Sequence, residues 1–196
     1  PHLRPLIVFL LYTGARMAEA LDLDWRDVDL GRARVVFRDT KNGDDRGVPL
    51  HDRALVELAN LPGRISKVFR RPDGQPYADR HRLEGGQVKT AFRGACRRAG
   101  LIRWEPMFIS SPSNEVEKSY TAGPYTPVRW RPTLTPHDLR HSWAMWVYAE
   151  TGDLLALMQL GGWKALARVS RYAHVNPDKL RPAIRLLPGG AKLDQA

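Results

Sequence analysis

The sequence predicts an α+β fold that is mainly α-helical, with a small antiparallel β-sheet. Two observations carry this expectation, and composition sets the broad class. Apolar residues recur at helical spacing near both ends of the chain. Between them, the β-branched run Ala33 to Phe37, a polar turn and Val48-Pro49-Leu50 read as one hairpin. Hydrophobic content of 43% and a mean hydropathy of −0.42 suit a water-soluble globular chain. The longest apolar run, Leu6 to Tyr12, is seven residues, against the roughly 20 needed to cross a bilayer.

Taken in order, His2 to Thr13 has helical periodicity and ends at Gly14, a natural C-cap. Arg16 to Leu21 reads as a short helix. The hairpin follows, with Lys41 near its tip. Asp52 to Leu61 has one apolar helical face, and Lys67-Val68-Phe69 reads as a short strand closed by Pro72-Asp73-Gly74. Gln87 to Ala99 is a helix on which Lys89, Arg93, Arg97 and Arg98 partly share a face. Arg103 to Pro132 holds five of the fifteen prolines and reads as a long loop or extended excursion. Thr135 and Pro136 start a helix running to about Thr151. Asp153 caps another to Leu160, Gly161-Gly162 breaks it, and Lys164 to Tyr172 and Pro177 to Leu187 are further helices.

Charge narrows the function. Lys and Arg number 31 against 21 Asp and Glu, a net +10, and only seven of the 31 are Lys. Arg grips phosphate oxygens in pairs, whereas Lys acts as a point charge. The sequence pI of 10.2 is the electrostatic footprint of a nucleic-acid binder. The lone cysteine, Cys96, excludes an internal disulfide and any Cys-rich metal site. No signal-peptide pattern is present, so a cytoplasmic setting is the default. The chain starts at Pro1, which suggests a piece of a longer protein.

Three segments stand out: Thr13-Gly14-Ala15-Arg16-Met17-Ala18-Glu19, Thr135-Pro136-His137-Asp138-Leu139-Arg140-His141, and Leu160-Gly161-Gly162-Trp163 followed by Arg171-Tyr172-Ala173-His174. In spelling and order they resemble the T-G-x-R-x-x-E, H-x-L-R and L-G-(H or W)…Y motifs of the tyrosine recombinases and phage integrases. The intervals, 23 residues from Arg140 to Trp163 and nine from Trp163 to Tyr172, are those of the family pattern. With the Lys41 hairpin, the resemblance covers roughly Leu6 to Pro177. It implies the fold of that family's catalytic domain.

The resemblance also implies roles. Tyr172 would be the nucleophile that attacks the DNA phosphorus. A phenol with a pKa near 10 attacks well and leaves well. The resulting phosphotyrosine keeps the phosphodiester energy, so neither ATP nor a metal is expected. Arg16 and Arg140 would stabilise charge on the non-bridging oxygens. Lys41 is the candidate general acid for the leaving 5′-oxygen, with Arg46 and Lys67 as competitors. His137, one helical turn before Arg140, could take the tyrosine proton or hydrogen-bond the phosphate. Trp163 could donate its indole N–H to a phosphate oxygen or pack the tyrosine segment against the site. Glu19 is placed to hold Arg16. His141 directly follows Arg140, so it is expected to point elsewhere and to be structural.

At the scale of the molecule, the expectation is a single catalytic domain over residues 1–196, without the N-terminal helical clamp of such enzymes. The partner implied is double-stranded DNA, bound in the cytoplasm of a bacterial or phage-infected cell near the nucleoid. Four protomers would meet on two duplexes, with the free piece monomeric and DNA-bending accessory proteins as further partners. Residues 174–196 resemble a tail exchanged between neighbours. Arg103 to Pro132 could contact DNA or a neighbouring protomer, or be unstructured. Lys89, Arg93 and Arg97 are the DNA-binding candidates, on a helix suited to the major groove. Two rivals stay open: relaxation of DNA in the manner of a type IB topoisomerase, and a non-catalytic DNA-binding protein on the same scaffold.

Overall fold

The computed structural model describes residues 2–38, 45–77, 86–106 and 128–173. Six helices and five strands lie in these segments: α1 (Arg4–Thr13), α2 (Met17–Asp22), β1 (Val28–Asp29), β2 (Arg34–Phe37), β3 (Arg46–Pro49), α3 (Asp52–Ala59), α4 (Gly86–Arg98), β4 (Ile102–Pro106), β5 (Val128–Pro132), α5 (Pro136–Thr151) and α6 (Leu154–Gly161). No helix in them is long and apolar enough to cross a membrane.

Local chemistry explains most boundaries. Gly14, at φ 63°, ends α1 in the left-handed conformation and donates its N–H to the Leu10 carbonyl at 3.1 Å. Arg16 is the extended residue before α2 rather than part of it, and the Glu19 carboxylate accepts its backbone N–H at 2.8 Å. Thr135 starts α5 in the same way, its N–H donating to Asp138 at 2.6 Å. The Asp153 carboxylate accepts from the first N–H groups of α6, and Gly162 closes that helix at φ 66°.

β1, β2 and β3 form an antiparallel sheet in that order, with Phe37 opposite Arg46 where the predicted hairpin closes. Lys41 lies outside the described residues. Three expectations need correction. Arg103 to Pro132 is not loop throughout: β4 and β5 are its two ends, paired antiparallel from Ile102↔Pro132 to Pro106↔Val128. Two of the prolines that argued against strands, Pro106 and Pro132, stand at the ends of the pairing, where a missing N–H costs little. Lys67 to Phe69 forms no strand; Lys67 makes a single bridge to Asp24. The segment before Tyr172 is two 3-10 turns, Leu166–Arg168 and Ser170–Tyr172, rather than a continuous helix. The segment 174–196, including the helix expected from Pro177, lies outside the described residues.

Two apolar clusters organise the chain. The larger joins α1, α3 and the three-stranded sheet around Leu6, Phe9, Leu10, Val35, Phe37 and Leu58. The smaller joins α5, α6 and the 3-10 turns around Trp143, Ala144, Leu157, Val169 and Tyr172. Helix α5 packs on α1, and α6 meets β3. The motif residues collect along the seam between the clusters.

Candidate active site

Arg140 is the centre of that seam. It is a charged side chain only 2% exposed. Its guanidinium donates to the Gly14 carbonyl at 2.5 Å, at the end of α1, and to the Gly161 carbonyl at the end of α6. Both acceptors sit at helix C-termini, where the peptide dipoles concentrate negative potential. The guanidinium also lies over the Trp163 ring, 4.1 Å from its centroid. Burial, and then the nearby Arg16, push its pKa down to about 10, opposed by Glu19. It remains a cation at neutral pH.

Arg16 approaches from the extended position just ahead of α2. Its guanidinium pairs with Glu19 at 2.5 Å and donates to the Gly162 carbonyl at 3.2 Å. Glu19 thus holds Arg16, as its spacing suggested. It also holds Arg46, the first residue of β3, at 2.7 Å. Arg46 is buried, donates to the Leu160 carbonyl and lies over the Phe37 ring. Burial raises the Glu19 pKa, but Arg46 and Arg16 outweigh it and hold the carboxyl below its ordinary value. Arg46, weighed from sequence as a proton donor, is instead bound into a brace between the sheet, α2 and α6. Lys67 is likewise committed: it donates to the Asp22 carbonyl and pairs with the Asp22 side chain.

Tyr172 is 6% exposed. Its ring packs against Trp163, with centroids 5.9 Å apart, and Trp163 stacks on Trp143 at 6.3 Å. Burial pushes the phenol pKa up, with Arg171 and Arg140 pulling the other way. The hydroxyl lies 2.5 Å from Nδ1 of His141. His141 therefore does not point away from the site, as its place beside Arg140 had suggested. The signal that could have found it is its spacing of four from His137, which puts the two imidazoles on one helical face. They meet edge to face, 4.7 Å between centroids. Burial, then His141 and Arg140, lower the pKa of His137.

Arg16, Glu19, Arg140, Trp163 and Tyr172 thus converge, with His137 reached through His141. Of the DNA-binding candidates, Lys89 and Arg93 line a groove with Phe92, Arg129, Arg131 and Thr135. Arg93 and Arg97 both lie over the Trp130 ring, at 5.1 and 5.5 Å. The groove runs up to Pro136, next to His137. Among the described residues, no group of three or more His, Cys, Asp or Glu side chains could hold a metal ion.

A buried arginine of α5, a second arginine just ahead of α2, a buried tyrosine and a small hairpin sheet make up the site and its frame, and comparison with known proteins names the class. The Phage integrase family model matches residues 2–179, and the chain belongs to that family. It is 28% identical over 189 residues to the integrase of Salmonella phage P22, an alignment spanning 91% of this chain and 40% of that protein. It is 27% identical over 187 residues to the tyrosine recombinase XerA of Pyrococcus furiosus, spanning 91% and 52%. The chain therefore spans about half or less of these relatives' length. Among solved structures, the catalytic domain of bacteriophage HP1 integrase superposes with a TM-score of 0.60 at 24% identity, over 98% of this chain and 87% of that one. The fold is that of this catalytic domain.

Proposed function

We propose that this chain is the catalytic part of a site-specific DNA recombinase, which cuts and rejoins strands through a covalent 3′-phosphotyrosine at Tyr172. The observation that carries the reading is the meeting of Arg16, Arg140, Trp163 and Tyr172 from distant segments, in a family to which the chain belongs. The Tyr172 oxygen bonds to phosphorus, and the bond to the 5′-oxygen breaks. Lys41 is the donor that protonates that oxygen. Arg16 and Arg140 hold the non-bridging oxygens, and their fixed partners mean that little reorganisation is needed as charge builds. His137 hydrogen-bonds the phosphate in this reading. The exchange conserves the phosphodiester, so a 5′-hydroxyl from a second duplex reverses it without ATP or a metal. Synapsis on two duplexes calls for four protomers. Lys89, Arg93, Arg129 and Arg131 are the phosphate contacts that lead duplex DNA toward the site.

The test is a nicked suicide duplex carrying a site selected by the full-length protein from a random-sequence library. A covalent adduct is expected, and Tyr172→Phe should abolish it while leaving non-covalent binding in place. An undiminished adduct in that variant would remove Tyr172 from the reaction. Strand transfer to a second duplex separates recombination from mere relaxation of supercoiled DNA.

A further inference from the structure

We propose that His141 is the group that takes the proton from Tyr172 as its oxygen attacks phosphorus, and so is a catalytic residue in its own right. The proposal rests on the recombinase reading above. It begins with geometry: Nδ1 of His141 lies 2.5 Å from the phenol oxygen, a direct contact between a base and the attacking atom. With the ring proton on Nε2, Nδ1 is a lone-pair acceptor and the phenol donates to it.

The surroundings favour this assignment over His137. Among the described residues, the titratable and charged groups around the pair are His137, Asp138 and Arg140 on α5, and Arg171 beside the Tyr172 ring. His137 reaches the pair only through the edge of His141, and no hydrogen bond from it to the phenol is present. A phenol raised by burial is a poor nucleophile until its proton has somewhere to go. The nearby guanidiniums favour the phenolate once it forms, but they carry no lone pair and cannot receive the proton. His141 can. The balance closes: the Tyr172 O–H proton passes to Nδ1, the new O–P bond forms, and the leaving 5′-oxygen takes a separate proton from Lys41, the donor of the recombinase reading. On rejoining, the imidazolium returns its proton to the departing phenol oxygen.

His141→Asn separates proton transfer from positioning. The Asn carbonyl oxygen falls close to the place of Nδ1 and accepts the same hydrogen bond, but it cannot be protonated at neutral pH. The experiment measures adduct formation by the full-length protein on the selected suicide duplex, with a 5′-bridging phosphorothiolate at the scissile position. The thiolate leaves without an acid, so any contribution from Lys41 drops out. His141→Asn is expected to bind DNA normally and to form adduct at least about 100-fold more slowly at neutral pH. Its rate should climb tenfold per pH unit through the neutral range, because the phenol must lose its proton to solvent. The wild-type rate should depend less steeply on pH over the same range. His141→Ala should match His141→Asn in profile.

Three results would overturn the assignment. In one, His141→Asn keeps the wild-type rate and pH profile. In another, it is slowed equally at every pH, which makes His141 a positioning residue only. In the third, both variants lose DNA binding together with cleavage, which makes the contact structural. Failure of the wild-type protein to form any adduct is a distinct outcome, and it overturns the recombinase reading along with this one.

Discussion

A methyl group on Gly14 would run into the Trp143 ring, and its φ of 63° already lies in the left-handed region. The same residue presents the carbonyl that accepts from Arg140. Gly14→Ala is therefore expected to cost about 1–2 kcal/mol from the backbone and a further 1–3 kcal/mol from overpacking. A drop of roughly 4–20 °C in Tm should follow for a domain of this size, as scanning calorimetry would register. Cleavage should fall more than binding, because the Arg140 anchor shifts. Single residues were the most legible part of the site. Arg16, Glu19, Arg140, Trp163 and Tyr172 all stand out by motif, and all meet. His141 was hidden by its neighbour: next to Arg140 it reads as pointing away, whereas one turn after His137 it reads as facing the site.

At the scale of elements, the brace of Arg46, Glu19 and Arg16 ties β3 and α2 to the end of α6. Removing one partner of a buried pair strands the other. Glu19→Ala should thus lose about 3–5 kcal/mol of stability, measured by urea unfolding. The pH dependence has a definite sign. The folded-state pKa of Glu19 lies below its unfolded value, so its contribution is complete above the unfolded pKa of about 4.3 and fades as pH falls through the folded value. The stability gap between wild type and Glu19→Gln should stay flat from about pH 5 to 8 and close at lower pH. A gap that widened in acid would contradict the assignment. Helices α1, α3, α4, α5 and α6 were readable from periodicity and caps. The β4–β5 pairing was not, because proline content masks strands whose hydrogen bonds lie between the prolines. The role of Arg46 was not readable either: its acceptor, the Leu160 carbonyl, is 114 residues away, and no local pattern records such a contact.

For the whole molecule, the net charge of +10 becomes specific once its placement is known. Arg93 and Arg129 line one groove leading to Pro136. If both contact phosphate, the Arg93→Ala, Arg129→Ala double variant should weaken binding to duplexes of any sequence alike. The slope of log affinity against log salt should become shallower by about two. Fluorescence anisotropy on a labelled duplex across a salt series measures this, and an unchanged slope would place the DNA elsewhere. Fold class was legible at this scale because helical periodicity and one hairpin suffice to define it. The groove was not, since it needs α4 and β5 to be brought side by side.

Arg140 is fastened by the ends of two helices and covered by an indole, so it serves the scaffold before any substrate arrives. Selection on folding alone would retain it. A descendant that had lost strand exchange and survived only as a DNA-bound regulator would still be expected to carry this arginine. Its presence in a related gene is accordingly weak testimony to a living enzyme. Better witnesses are the groups whose loss the frame would tolerate: the phenol oxygen of Tyr172 and the ring nitrogen that faces it.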